Sequence, residues 1–397
     1  MSKLEELIKE LCTDGVEYAR IEDVCTKITS GGTPNTSRSD YYGGNIPWLR
    51  TQEVDWGYIA ETGVMITADG LKNSSAKWIP ANCVIVAMYG ATAAKVAINK
   101  IPLTTNQACC NLQIDETKAM YRYVYFWLCN KYDELKAFGQ GSQSNINAKI
   151  VRNFPIPIPP LPIQREIVRI LDNFTELTAE LTAELTARKK QYEYYRNELL
   201  TFGDDVPVVA LGEIAQYSKL RIGSDVLDEN NYVGVDNLLP DKRGKTVSSY
   251  VPESGTFTRF DLGDILIGNI RPYLKKIWRA KTTGGTNGDV LVIHILSDSI
   301  QSDYLYQILA SDIFFNYDMQ HAKGAKMPRG SKEAIMRYSI PLPSLHNQAR
   351  IVTILNRFDT LVNDITQGLP AEIEARRKQY EYYRDKLLTF ERKGAEA

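Results

Sequence analysis

The residue types best suited to chemistry lie in three polar stretches. Arg271 to Lys281 (RPYLKKIWRAK) holds five basic residues, two aromatics (Tyr273, Trp278) and no acid. Cations interleaved with flat rings suit a loop that tracks phosphates and touches bases, with Arg271, Tyr273, Lys275 and Lys276 as candidates. Lys323 to Lys332 (KGAKMPRGSK) adds four cations among two glycines and a proline and reads as a flexible basic loop, with Lys323, Lys326 and Arg329 as candidates. The third stretch, Gly139 to Asn147 (GQGSQSNIN), aligns without gaps to Lys323–Ser331 when both are counted back from the proline-rich segments that follow. It offers Gln140, Ser142, Gln143, Asn145 and Asn147 where the other has cations. Amides can bond bidentately to adenine, and Arg or Lys to guanine, in the major groove. Upstream, Gly31-Gly-Thr-Pro34 and Ile46-Pro-Trp-Leu-Arg50 pair turn formers with Thr33, Trp48 and Arg50 as further candidates, although a tryptophan in such a setting is more often core.

Motifs for covalent chemistry are missing. The sequence contains no GxxxxGK[ST] phosphate loop, no Asn-Pro-Pro-aromatic tetrapeptide for gripping a flipped base, and no strand-linked glycine fingerprint for a methyl donor. Its three histidines (His294, His321, His346) lack metal-ligand neighbours at useful spacing. Neither a catalytic group nor a metal site is expected.

The elements that must position these loops are written twice. Residues 188–202 read RKKQYEYYRNELLTF and residues 376–390 read RRKQYEYYRDKLLTF, differing at three of fifteen positions. Upstream, Ile156-Pro-Ile-Pro-Pro-Leu161 matches Ile340-Pro-Leu-Pro-Ser-Leu345, and Gln164, Ile167, Leu171 and Phe174 match Gln348, Ile351, Leu355 and Phe358. Val16, Ile21, Asp23 and Val24 likewise correspond to Val206, Leu211, Glu213 and Ile214. The chain is therefore a tandem duplication, 16–202 and 206–390, and repeats of this kind organise a fold.

Each copy runs from a variable head through a proline-rich hinge to a long helix. In the first helix, apolar or aromatic residues at 163, 167, 170/171, 174, 177, 181, 185, 192, 195 and 199 keep spacings of three and four. That seam seeks a partner helix, and antiparallel pairing of the two copies as spacers would give an approximate internal twofold. About forty helical residues extend ~60 Å, more than a small domain needs. In the second copy Gly368-Leu-Pro370 should break or kink the helix. The fold class is α+β: two mixed α/β heads (1–157 and 203–340) and two helical regions (158–202 and 341–397). Short β-type runs such as Cys83–Met88 and Asp264–Gly268 supply the head cores, and Tyr121–Leu135 and Ser302–Phe315 read as one amphipathic helix each.

Composition sets the bounds. A chain of 397 residues with 44% apolar and 24% charged residues fits a soluble protein of more than one domain. A net charge of −1 confines any nucleic-acid surface to a local patch. All six cysteines fall in the first third without a CxxC, which suits reduced thiols in the cytoplasm. No apolar run approaches the ~20 residues of a membrane span, so no membrane partner is expected.

These residues resemble Type I restriction–modification specificity subunits. The duplicated helix starts (Gln164-Arg-Glu-Ile-Val168 and Gln348-Ala-Arg-Ile-Val352), the Leu-Thr-Ala-Glu blocks from Leu177 and the Arg-Lys-Lys-Gln-Tyr-Glu-Tyr-Tyr-Arg ending carry the likeness. GGTP at 31–34, IPW at 46–48 and IRPYLKK at 270–276 are similar to that family's target-recognition domains. The resemblance implies two such domains reading the halves of a split site on double-stranded DNA. It implies docking with two modification subunits, which bind S-adenosylmethionine, and with restriction subunits using ATP and Mg²⁺; no cofactor belongs to this chain. The apolar and aromatic spacer residues Ile167, Leu171, Phe174, Tyr192, Tyr195, Ile351, Leu355, Phe358, Tyr380 and Tyr383 become the expected partner contacts. The alternative is the recognition region of a stand-alone DNA methyltransferase or nuclease, against which the missing motifs count. A helical scaffold with no DNA role would leave two divergent heads unexplained.

Overall fold

The computed structural model describes residues 3–139, 145–364 and 367–394. It separates into two compact units, residues 1–179 with 375–397, and residues 180–374. The division falls inside the long helix Leu161–Leu199, which is unbroken over 39 residues as its periodicity predicts. In the second copy the helix stops at Asn363 and resumes at Leu369, the interruption set by Gly368-Leu-Pro370.

Each unit therefore combines one head with the start of its own spacer and the end of the other copy's spacer. In unit 1 Phe174 stacks on Tyr383, centroids 5.5 Å apart. In unit 2 the equivalent pair, Phe358 and Tyr195, stacks at 5.4 Å, and Tyr192 also stacks on Phe358 at 5.9 Å. Early residues of one spacer meet late residues of the other in both units, which is antiparallel pairing.

The repeated glutamines explain how head and spacer lock together. Gln164 is fully buried; its Oε1 accepts from Met120 N at 2.9 Å and its Nε2 donates to Lys118 O and Pro159 O. Gln348, also fully buried, repeats this with Gln301 N at 2.9 Å, Ser299 O and Pro343 O. One amide side chain thus satisfies the backbone at the hinge and at the entry to a head helix, where an unpaired buried group would cost about 1–3 kcal/mol.

Both heads share a strand plan. In unit 1 the main sheet runs Cys25–Ser30, Cys109–Ile114, Val84–Ala87, Val96–Asn99 and Tyr58–Ile59. In unit 2 it runs Ala215–Tyr217, Val290–Ile295, Ile265–Gly268 and Ile277–Arg279. A second, four-stranded sheet accompanies each. Short hinge ladders, Tyr18–Arg20 with Pro155–Pro157 and Val208–Ala210 with Ser339–Pro341, close each head onto its spacer in the same register. Fully buried Val84, Ile85 and Val86, and Ile265, Leu266 and Ile267, make the central strands apolar on both faces.

The two expected head helices are each a pair. Tyr121–Asn130 and Tyr132–Ala137 break at Lys131, whose ψ of 21° leaves the helical range. Ser302–Leu309 and Asp312–His321 break where the Ser311 side chain caps a new helix by accepting from Phe314 N.

Candidate nucleic-acid interface

The two basic stretches of the second head, some fifty residues apart, are brought together. After strand Ile265–Gly268 the chain turns through a 3₁₀ segment, Pro272–Leu274, into strand Ile277–Arg279. Arg271 N donates to Pro328 O at 2.8 Å, Gly330 N donates to Asn269 O at 3.1 Å, and Lys323 and Arg329 exchange backbone hydrogen bonds of 2.9 Å. The segment from Lys323 is thus a closed hairpin laid on the Arg271 turn, not the free loop its composition predicts. Arg271, Tyr273, Lys323, Lys326 and Arg329 are exposed on it, Tyr273 by half. Arg329 pairs with Asp289 at 2.8 Å. Among the described residues no ion pair involves Arg271, Lys323 or Lys326.

Three members of the Arg271–Lys281 stretch do other work. Trp278 lies in the core, edge-on to Phe260 at 5.8 Å. Lys275 Nζ donates to Asp312 at 2.8 Å, and Lys276 Nζ to the Val235 carbonyl at 2.6 Å. Burial also holds the Lys276 ammonium below its ordinary pKa. Both lysines, expected to face a ligand, have protein partners here, Lys275 from the left-handed end of the 3₁₀ turn and Lys276 from just before the strand.

The first head has the same strand, 3₁₀ turn and strand at this place, with different side chains. Val84–Ala87 leads through Gly90–Thr92 to Val96–Asn99, and Gly90 occupies the left-handed conformation that Arg271 holds in unit 2 (φ 80° and 54°). Ile146 N donates to Met88 O at 2.9 Å, the counterpart of Gly330 on Asn269. Asn147 and Ser331 both cap the helix that follows, each accepting from the backbone three residues on. At its described end, Ile146 with Gly330 and Asn147 with Ser331, the gap-free alignment of the two loops matches in three dimensions. Gln140, Ser142 and Gln143 lie outside the described residues.

Several first-head candidates have structural duties. The Asn147 oxygen caps its helix and the Asn145 oxygen accepts from Gly90 N at 3.0 Å. Trp48 is 5% exposed and its Nε1 donates to Gly32 O at 2.9 Å, so it anchors the 31–34 turn instead of offering a stacking face. Gly31 must be glycine, because a Cβ there would sit 1.9 Å from Thr105 O. The Thr33 hydroxyl bonds Gln107, and Arg50 pairs with Glu53 at 3.0 Å. The Thr92 hydroxyl donates to Thr51 O at 2.8 Å, which seats the Arg50 turn against the hairpin tip. Exposed Tyr89, Gln107 and Arg243 escaped sequence reasoning. Tyr89, beside Gly90 at a strand end, carried the one local signal, a glycine turn next to a ring.

The spacer residues expected to touch partners are mostly interior. Ile167, Leu171 and Leu355 are fully buried, and Ile351 and Tyr192 are nearly so. Phe174, Phe358 and Tyr380 are half-buried against their own unit. Tyr195 and Tyr383 keep 39% and 36% exposure, and their neighbours Tyr194 and Tyr382 keep 59% and 62%. The 3.5-residue seam is answered within the chain.

Among the described residues no cluster of three or more His, Cys, Asp or Glu could hold a metal, and no helix is long and apolar enough to cross a membrane.

Comparison with known proteins gives one answer. The profile described as "Type I restriction modification DNA specificity domain" matches residues 13–188 and 203–375. The Escherichia coli EcoR124I/EcoR124II specificity subunit is 35% identical over 70% of this chain and 72% of its own length. A putative type I restriction enzyme specificity subunit of Haemophilus influenzae is 30% identical over 94% of this chain and 96% of its own. A solved Type I system complex chain superposes with a TM-score of 0.60 at 16% identity, covering 94% of this chain and 97% of that one. The S subunit from M. genitalium does so at 0.57 and 14%, covering 94% and 96%. Two matched domains, full-length relatives and a shared fold agree: the chain belongs to the specificity subunits of Type I restriction–modification systems.

Proposed function

We propose that the hairpin-and-loop surface of each head is where this specificity subunit reads one half of a bipartite DNA target. The subunit is non-catalytic, binds DNA by sequence, and assembles with modification and restriction subunits. S-adenosylmethionine, ATP and Mg²⁺ act on those partners, two modification subunits among them, and the complex works in the cytoplasm.

One observation supports the reading most. The same backbone address carries Arg271 and Arg329 in unit 2 but Gly90 and Asn145 in unit 1. The segments at that address, cation-rich in the second head and amide-rich in sequence in the first, suit different base edges, guanine for the former and adenine for the latter. The exposed cations Arg271, Lys323 and Lys326 hold the DNA backbone as well, and half-exposed Tyr273 shares the turn that Arg271 opens.

Salt dependence tests the assignment. Lys323→Ala and Lys326→Ala together should flatten the slope of log affinity against log salt by roughly one unit for each phosphate left without its cation. Arg271→Ala should relax discrimination at one base pair of one half-site, by about 1–3 kcal/mol. An unchanged slope together with unchanged discrimination would place this surface away from DNA.

A further inference from the structure

In unit 2 the turn carrying Arg271 is held by an ion chain that begins in the spacer helix. Arg196 is 1% exposed, and its Nη1 donates to Glu193 Oε1 at 2.7 Å. The same oxygen accepts from Lys242 Nζ at 2.6 Å. Lys242 Nζ reaches on to Asp312 Oδ1 at 3.0 Å, and that oxygen also accepts from Lys275 Nζ at 2.8 Å. Lys275 closes the 3₁₀ turn that Arg271 opens.

The backbone explains why a clamp is needed. Arg271, Lys275 and Lys242 all hold left-handed conformations, with φ of 54°, 50° and 62°. Side chains with a Cβ adopt that region only where surroundings enforce it, and such strain gathers at working loops. Two backbone hydrogen bonds, Asp241 N to Leu274 O and Lys242 N to Lys275 O, both 2.9 Å, splice the two strained turns together. Like charges then meet, because Lys242 and Lys275 leave the splice side by side. A single carboxylate between them removes that repulsion. Burial works to raise the Asp312 carboxyl, but hydrogen bonds from Lys275 and Lys242 outweigh it and keep it ionised below the ordinary carboxylate range.

Among the described residues unit 1 has no such ion chain. Tyr123 and Tyr304 both donate to a hinge-proline carbonyl, Pro157 and Pro341, which sets the head helices in register. Counting on from that pair puts Lys131 where unit 2 has Asp312, and Lys131 pairs with Glu134 on its own helix. Glycine at 90 needs no restraint to turn left-handed.

We propose that Asp312 is a positioning residue for base reading by the second head: by gripping Lys242 and Lys275 it fixes the aim of Arg271, and through Glu193 it references that aim to the spacer helix. The role rests on the assignment of Arg271 to base reading made above.

The test uses the subunit assembled with its modification subunits, scored on DNA panels carrying single base changes in each half-site. Asp312→Asn should cut discrimination in the half read by the second head roughly tenfold, within what one bidentate contact supplies, and leave the other half unchanged. Asp312→Glu should restore most of it. Lys242→Met, which leaves the Asp312–Lys275 and Glu193–Arg196 pairs in place, should show the same one-sided loss and serves if Asp312→Asn does not assemble. Wild-type discrimination in both Asp312→Asn and Lys242→Met overturns the proposal. So does a parallel loss in both halves, the mark of a general folding defect, or an Asp312→Glu variant as impaired as the asparagine. If Arg271→Ala itself leaves both halves intact, the underlying assignment has failed; if it relaxes one half while Asp312→Asn does not, only the positioning role has.

Discussion

Beneath the hairpin tip the two heads are packed from opposite materials. In unit 1 Met88 and Ile146, 3% and 1% exposed, plug the space apolarly. In unit 2 the same positions are Asn269 and Gly330, and Asp318 fills what remains at 1% exposure. A Cβ on Gly330 would come within 2.5 Å of Asp318 Oδ1 and 2.9 Å of Asn269 Oδ1. Both Asp318 oxygens and the Asn269 oxygen lack a hydrogen-bond partner among the described residues. One frame therefore tolerates a dry plug or a polar one, provided glycine makes room. The heads diverge even where no ligand reaches, and what they hold in common is backbone hydrogen bonding and the packing of each head on its spacer.

The largest expected contrast lies at the repeated Tyr-Arg pair. Arg196 is buried over the Tyr192 ring at 4.1 Å and bonded to Gln307, Glu193 and Ala310 O. Its repeat equivalent Arg384 keeps 23% of its side chain exposed, pairs with Asp385, and lies 5.8 Å from Tyr380. Arg196→Met should cost unit 2 about 1–3 kcal/mol, since it takes a buried donor away from Gln307 and the Ala310 carbonyl while Glu193 keeps Lys242. Arg384→Met should cost unit 1 about 1 kcal/mol or less. Hydrogen exchange resolved by unit measures both, and equal losses would mean the two copies are more alike than their burial indicates.

The polar plug should make unit 2 the pH-sensitive half. Burial raises the Asp318 carboxyl from 3.8 to about 6, partly offset by His321. A folded-state value above the unfolded one means the native state holds the proton more tightly. The Asp318 contribution to stability is therefore full below pH 4 and is lost as pH rises to about 6 and beyond, by about 3 kcal/mol in all. Tyr217, Glu333 and His321 also face this region, and none supplies the missing hydrogen bond. Asp318→Asn should abolish most of the decline, so that the variant outlasts the native protein at pH 8 in urea unfolding. A wild-type pH profile in the variant would assign the decline elsewhere.

The smallest effect should be shared. Asn147→Ala and Ser331→Ala each remove a helix cap at the same address and should each cost about 1 kcal/mol in their own unit. A large difference between them would show that the two loops are not seated alike.

Legibility in the sequence followed range. The duplication exposed the spacers, because helical periodicity and the Gly368-Leu-Pro370 break are local signals. It also exposed the Gln164/Gln348 clamps as matched positions, although not their bonding. Composition singled out Arg271, Lys323 and Arg329 as candidates, since a cation cluster without acids stands out in a chain of net charge −1. It could not separate Arg271 from Lys275 and Lys276, whose partners Asp312 and Val235 lie about forty residues away in sequence. Trp48 and the spacer aromatics were ambiguous for the same reason: burial is a property of what packs against a residue. The identical Gln-Tyr-Glu-Tyr-Tyr-Arg motif has two fates because unit 2 faces Arg196 with Gln307, where the matching residue of unit 1 is Phe126.

Two readers on one scaffold is the claim on which the rest depends, and exchanging a head tests it most directly. Residues 1–157 would be replaced by the corresponding segment of another specificity subunit, and methylated sites mapped genome-wide in cells carrying the assembled complex. The account predicts that one half of the recognised sequence changes, while the other half and the gap between them stay the same. If both halves changed together, or if neither did, the heads would not be independent readers.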